Sequence, residues 1–201
     1  MATADCVLPV LEQLIVGRGQ SLARPLRNIT LSGIRFSYST WLGPNSKDGY
    51  VPQQAAVRLI GSTTCVLHGS GHHNAHVAPA GDIAAVTGMP CQNLNCEPTP
   101  GAVSFHTVVG LTVRDCTFEH LGSAALYLGD GAQHSHIAGN EFGDISAGAV
   151  AVGRVDSWDV TDPAQQEAFN MIEDNYLHDI AVEYAGAAGI WQGFWRDSKI
   201  L

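Results

Sequence analysis

A repeat of about 24 residues runs through positions 111–193, and a repeat of that length leaves few folds open. Three segments begin alike: Leu111-Thr-Val-Arg-Asp-Cys-Thr-Phe118, Ser135-His-Ile-Ala-Gly-Asn-Glu-Phe142 and Asn170-Met-Ile-Glu-Asp-Asn-Tyr-Leu177. Each is followed by a second short run: Ala125-Leu-Tyr-Leu-Gly129, Ala149-Val-Ala-Val-Gly153 and Gly189-Ile-Trp-Gln-Gly193. Within the runs apolar residues alternate, which is the period of a strand with one buried face. Gly, Asn and Asp separate them and supply turns. No run has the length or period of a helix between strands, which argues against a doubly wound sheet. One such strand cannot bury its apolar side alone, but stacked copies bury a continuous column. The pattern therefore predicts an all-β parallel β-helix, with the right-handed connection that is general for parallel crossovers.

The repeat extends beyond its clearest part. Gly101-Ala-Val-Ser-Phe105 precedes the strand at 124–128 by about one period and reads as the end of an earlier copy. Asn28-Ile-Thr-Leu-Ser-Gly-Ile-Arg-Phe-Ser-Tyr38 matches the opening of the later copies and reads as the first rung. We expect one domain over 1–201, incomplete as a solenoid: a lead-in at 1–27, an irregular insertion at 69–100 and the clearest repeats at 101–201. In the lead-in, Leu8, Leu11, Leu14 and Ile15 fit a strand or a short helix. Residues 39–55 read as a turn-rich loop, and 56–68 regain strand character. Residues 154–169 interrupt the second and third copies, with a helical turn possible at 164–168. The last residues, Asp197-Ser-Lys-Ile-Leu201, open another repeat without a capping element, so we expect either a part of a longer protein or a last rung that is poorly ordered.

Composition narrows the function. A net charge of -9 argues against nucleic acid, whose phosphates call for a basic surface. No segment approaches the ~20 apolar residues of a membrane span, and the first residues do not read as a secretion signal. Five cysteines, Cys6, Cys65, Cys91, Cys96 and Cys116, form no dense framework, although Cys91 and Cys96 could pair within their loop. Cys116 takes the place of Asn140 and Asn175 in the other copies and reads as an interior turn residue. No phosphate loop, nucleophile elbow or CxxC pair is present. His72, His73 and His76 have no partner motif for zinc, and no metal or cofactor is expected. Asn28-Ile-Thr30 matches a glycosylation acceptor within a predicted strand.

Equivalent residues on adjacent copies should lie about 4.8 Å apart, so aligning the copies predicts neighbours. Two positions after the Phe stand His120, Asp144 and Asp179, either a column of interacting acids and bases or a set of turn formers. Asp130, between two glycines in Leu128-Gly-Asp-Gly131, should stand exposed at a rim. Its counterpart on the next copy is Arg154, which would keep it ionised. Glu183, beside Tyr184 in the extra residues of the third copy, is a candidate general acid or a solvated loop residue. Trp191 should point outward, where an indole can stack on a sugar or cover a loop. Trp41, Tyr50 and Trp158 are further aromatic candidates.

These residues carry a resemblance. Asn28-Ile-Thr-Leu-Ser-Gly-Ile-Arg-Phe36, Ser39-Thr-Trp-Leu42, Asp48-Gly-Tyr50, Pro100-Gly-Ala-Val-Ser-Phe-His106, Leu128-Gly-Asp-Gly131, Val182-Glu-Tyr184 and Gly189-Ile-Trp191 resemble right-handed parallel β-helix proteins. They are most similar to extracellular polysaccharide-active proteins near glycoside hydrolase family 141, within a pectate-lyase-like fold. The resemblance covers 7–60 and 100–197. It implies a secreted enzyme, longer than this chain, that removes fucose or cuts xylan-type linkages with paired carboxylates on the helix face. On that reading Asp130 is base or nucleophile and Glu183 the acid. Asp144 and Asp179 would set the local charge, and His106, His120, Tyr184 and Trp191 would contact a polysaccharide or oligosaccharide. The protein is expected to act as a monomer. Two other readings stand beside it: a polysaccharide lyase, and a non-catalytic carbohydrate-binding or structural segment.

Overall fold

The computed structural model describes residues 6–47, 49–50, 57–59, 65–67, 76–78, 96–154 and 160–201. These residues are almost wholly strand and turn, with one short 3-10 turn at Gly43–Asn45. Three parallel sheets carry the fold; each of the first four passes of the chain adds one strand to each of them, and the last adds one to the first and second. The first sheet is ordered Ile15–Arg18, Gly101–His106, Ala124–Gly129, Val150–Gly153, Ile190–Gly193. The second is ordered Thr30–Ser32, Thr112–Arg114, His136–Ala138, Met171–Glu173, Lys199–Ile200. The third holds Arg35–Ser39, Thr117–Leu121, Glu141–Ile145 and Tyr176–Ile180. This is an all-β arrangement of stacked parallel sheets, consistent with a β-helix. The described residues of the lead-in form strands at Ile15–Arg18 and Leu26–Arg27 and no helix, and the last residues add a strand beside Met171–Glu173.

The register follows the sequence repeat. Phe118 pairs with Phe36 on one side and Phe142 on the other, and Leu126 pairs with Val103 and Val150. Phe118 and Phe142 have no exposed surface; their rings stack at 4.7 Å, and Phe36 extends the stack at 4.9 Å. Val113, Ile137 and Ile172 fill a second inward column, and Leu126, Leu128, Val150 and Val152 a third. All belong to one core. Continuous burial of this kind is what lets strands of two to six residues persist, because none could hold its apolar face out of water alone.

The turns stack as regularly as the strands. Asn28, Gly110, His134, Phe169 and Asp197, each two residues before a second-sheet strand, all have positive φ. Gly33, Asp115, Gly139 and Asp174 do so just after that sheet. The left-handed region is open to Gly and tolerated by Asn, Asp and His, which explains why these types recur at the corners. Asn28 therefore sits at a corner preceding the strand, where a position inside the strand was expected.

Interior corners are closed by side-chain amides. Asn140 Oδ1 accepts the Cys116 N–H at 3.0 Å, and its Nδ2 donates to Val113 O and to Asn175 Oδ1. Asn175 repeats the pattern one pass on, accepting the Asn140 N–H and donating to Ile137 O. Cys116 is buried and free at the end of this ladder. A second ladder links Ser135, Asn170 and Ser198. Buried backbone groups at a turn need such partners, and one amide side chain serves two passes at once.

Between the first and second passes the chain leaves the stack. Val57–Leu59 pairs antiparallel with Cys96–Pro98, and Cys65–Leu67 with His76–Ala78. Cys91, His72, His73 and Trp158 lie outside the described residues. The 154–169 interruption contains a hydrogen-bonded turn from Asp162 to Gln165 where a helical turn was considered.

Candidate functional site

The first-sheet strands end along one edge, and the residues just past them stack: Thr107, Asp130 and Arg154. Asp130 has φ 56°, a left-handed conformation between Gly129 and Gly131 that turns the chain sharply and leaves the carboxylate at the edge. Gly129 is needed for a second reason: a Cβ there would lie 2.6 Å from the Tyr127 hydroxyl. That hydroxyl donates to Gly153 O on the next pass.

Three basic side chains converge on Asp130. His106, which ends the strand one pass before, places Nδ1 2.8 Å from Asp130 Oδ2. A carboxylate only accepts, so this nitrogen carries the hydrogen. Arg154 Nη1 donates to Oδ1 at 3.3 Å, and Arg18 Nη1 stands 3.7 Å from Oδ2. The carboxyl is held below its usual range, chiefly by the His106 hydrogen bond; partial burial opposes this, and the charges of His106, Arg154 and Arg18 assist. Asp130 is thus a half-buried, firmly ionised acid.

It opens onto a groove of about 590 Å³ walled by Arg18, Gln20, Thr107, Arg154 and Gln165. That volume is within the range that holds a small ligand. Apart from Asp130 its charged lining is cationic, although the chain as a whole is acidic.

A second carboxyl lies directly behind. Glu167 is 1% exposed, and its Oε1 accepts the Gly131 N–H at 3.1 Å. Burial pushes its pKa above the usual range, and the Asp130 charge adds to the rise. Sequence reasoning passed over Glu167. The bridge Val109–Gln133–Ala168–Arg196 places it in one column with Leu26, Val108, Ala132 and Trp195. A Glu among Leu, Val, Ala and Trp is a visible signal once the register is known, but the interruption at 154–169 hides that register.

The other predicted residues lie elsewhere. His120, Asp144 and Asp179 do form a column, and Tyr38 extends it; all four have positive φ at the bend of the third-sheet strands. His120 Nδ1 meets Asp144 Oδ2 at 2.6 Å, and Asp179 pairs with His178. These pairs are exposed, and the bend itself accounts for the choice of Asp and His.

Glu183 and Tyr184 lie past the other end of the first sheet. Glu183 is exposed, and its N–H donates to Ser146 O. Tyr184 packs on Ala124 and Ala147, and its ring meets Trp41 and Tyr50 at 5.2 and 4.6 Å. The strand Ala124–Gly129 separates this region from Asp130, roughly 20 Å of extended chain. Asp130 and Glu183 are therefore not brought together. Trp191 is half-buried beside a small hollow with Pro98, Thr99 and Ala188, and its ring reaches along the strand to cover Gly193, the residue at the opposite strand end from Tyr184. Trp41 is buried, with the Arg58 guanidinium 5.2 Å from its ring. Among the described residues no group of three or more His, Cys, Asp or Glu is placed to hold a metal.

Comparison with known proteins agrees with this architecture. A solved structure described as a glycoside hydrolase superposes on the chain with a TM-score of 0.74 at 25% identity. The match covers 96% of this chain and 31% of that one, so the chain spans about a third of its length. No protein-family model matches the chain, and no curated protein matches it. The chain has a glycoside hydrolase-like fold.

Proposed function

We propose that the chain is a segment of a right-handed parallel β-helix, pectate-lyase-like in architecture, that hydrolyses a glycosidic bond in a plant or microbial polysaccharide. One observation carries the reading: an ionised Asp130, oriented by His106 and flanked by Arg18 and Arg154, faces a groove large enough for a sugar. The glycoside hydrolase name of the structural neighbour supports the substrate class.

In this reading Asp130 is the nucleophile or base. A carboxylate kept ionised can attack an anomeric carbon or take a proton from water, and it stabilises the cationic transition state. His106 fixes its orientation, and the arginines hold the sugar hydroxyls or an acidic substituent. The companion acid would stand about 5–5.5 Å away in a retaining enzyme or about 6.5–9.5 Å in an inverting one. Glu183 is much farther, so we assign it and Tyr184 to a separate wall that touches the polymer, with Trp191 on the outer face of the sheet between that wall and the Asp130 edge. His120, Asp144 and Asp179 line the third-sheet face, where they would meet a long chain only at its flank.

The test is release of reducing sugar from a panel of plant and microbial polysaccharides by the wild type and by Asp130→Asn. Loss of about 10²–10⁴-fold in turnover is expected, the usual contribution of an acid–base group. Undiminished turnover removes Asp130 from the chemistry. Binding without turnover would favour the carbohydrate-binding reading, and rising ultraviolet absorbance on uronate polymers would favour a lyase.

A further inference from the structure

The hydrolytic reading leaves Glu167 without a task. Its column is otherwise apolar, and a carboxyl buried there costs free energy that Ala or Val would not. Its Oε1 takes the Gly131 N–H, while its Oε2 has no hydrogen-bond partner.

We propose that Glu167 is the positioning residue of the Asp130 site: from inside the stack it pins the Gly131 N–H and so holds the turn that presents the Asp130 carboxylate to the groove. The inference rests on Asp130 being the working carboxylate. Three further contacts point the same way. Gly131 has φ 81°, and a Cβ there would lie 2.4 Å from Ala164 O, so the turn rests directly on the segment that carries Glu167. Gln133 Nε2 ties that segment down by donating to Pro163 O and Gln166 O. Arg196, on the next pass, donates its backbone N–H to Glu167 O.

Few charges face the Glu167 carboxyl. Asp130 and Arg154 approach from the first-sheet edge, and the Arg196 guanidinium is committed to Gln166 and Asp197. Burial, with a smaller push from the Asp130 charge, outweighs the Gly131 N–H, so Glu167 stays neutral to higher pH than an exposed glutamate, while Asp130 ionises at lower pH than an ordinary aspartate. A neutral acid accepts the Gly131 N–H without adding a second negative charge behind Asp130. Ionisation would add that charge and weaken the contacts of Asp130 with its cations.

The experiment is a pH titration of the carboxyl ¹³C resonances of the whole chain, with Asp130 assigned by its disappearance in Asp130→Asn. In the wild type the Asp130 signal should show its own step at low pH and a second, smaller step when Glu167 ionises above the ordinary glutamate range. Glu167→Gln keeps an oxygen for the Gly131 N–H but cannot ionise, so the first step should stay and the second should vanish. Glu167→Ala should move the first step up toward the ordinary carboxylate range. An Asp130 step that is the same in Glu167→Ala as in wild type would overturn the proposal, as would a Glu167 resonance titrating like an exposed glutamate. If Glu167→Ala does not fold, Glu167→Gln decides: a second step that persists overturns the proposal, and its loss supports it. No sugar is needed for these measurements, so a chain that shows these steps and hydrolyses nothing would count against the hydrolytic reading alone.

Discussion

The imidazole of His106 donates through Nδ1 to Asp130 Oδ2 across 2.8 Å, joining the last residue of one first-sheet strand to the residue that follows the next. The two are 24 positions apart in the chain and neighbours only because adjacent passes lie in register. Their contact is the largest influence on the Asp130 pKa, so it sets the first prediction. In His106→Ala the Asp130 carboxyl should titrate at higher pH, closer to an ordinary aspartate, as read by its ¹³C signal. Asp130 is depressed in the folded state, so its stabilising contribution is present above its unfolded pKa and disappears as pH falls through the folded one. His106→Ala brings the folded value closer to the unfolded one, so the variant should be less stable above that window and lose less stability on acidification through it.

Glu167 has the opposite sign. Its pKa is raised on folding, so its neutral form favours the folded state fully below the unfolded value, and that advantage is lost as pH rises through the folded value. Denaturant unfolding as a function of pH should show wild-type stability falling above the ordinary glutamate range, and Glu167→Gln should flatten that fall.

The aromatic stack should be costly to break. Phe142 is fully buried between Phe118 and Leu177. Phe142→Ala should lower the unfolding free energy by about 3–5 kcal/mol, the usual cost of emptying an aromatic site in a core. Phe142→Leu, which copies the residue at Leu177, should cost less, and the difference in denaturant midpoint measures it.

The amide ladder makes a sharper claim about polar groups. Asn140→Ala leaves the Cys116 N–H and the Val113 carbonyl without their side-chain partner inside the corner. A loss of about 1–3 kcal/mol is expected for each buried group left unpaired. Hydrogen exchange at Cys116 should accelerate more than at the flanking strand amides. Equal acceleration everywhere would mean global destabilisation and no specific bond.

Two glycines of the same backbone class should behave differently. Gly131→Ala meets both a left-handed φ and a carbonyl 2.4 Å from its Cβ, whereas Gly33→Ala at φ 67° meets open space. Gly33→Ala should cost only the backbone term, about 1–2 kcal/mol. Gly131→Ala should cost more and also disturb the Asp130 titration.

The interior was legible from the chain because it repeats. Phe118 and Phe142, or Leu126 and Val150, announce their contact by spacing alone, and Cys116 announces its corner by standing where other copies have Asn. The edge of the stack was only half legible. Asp130 with Arg154 follows from the same alignment and is found 3.3 Å apart. Glu183 looked like its companion because both are acidic residues in loops, yet they flank opposite ends of one strand. Glu167 escaped notice because the interruption before it breaks the count.

Period, turn chemistry and apolar alternation are local properties, so the sequence by itself determined that short parallel strands would stack and which side chains would face inward. Which carboxyls share an environment is another matter. That depends on how far each insertion displaces a corner and which strand end a loop returns to, and no spacing records it. The tertiary structure alone decided that His106 and Arg18 would join Arg154 around Asp130 and that Glu167 would be buried behind it, because desolvation and proximity arise only when distant segments close around the same point.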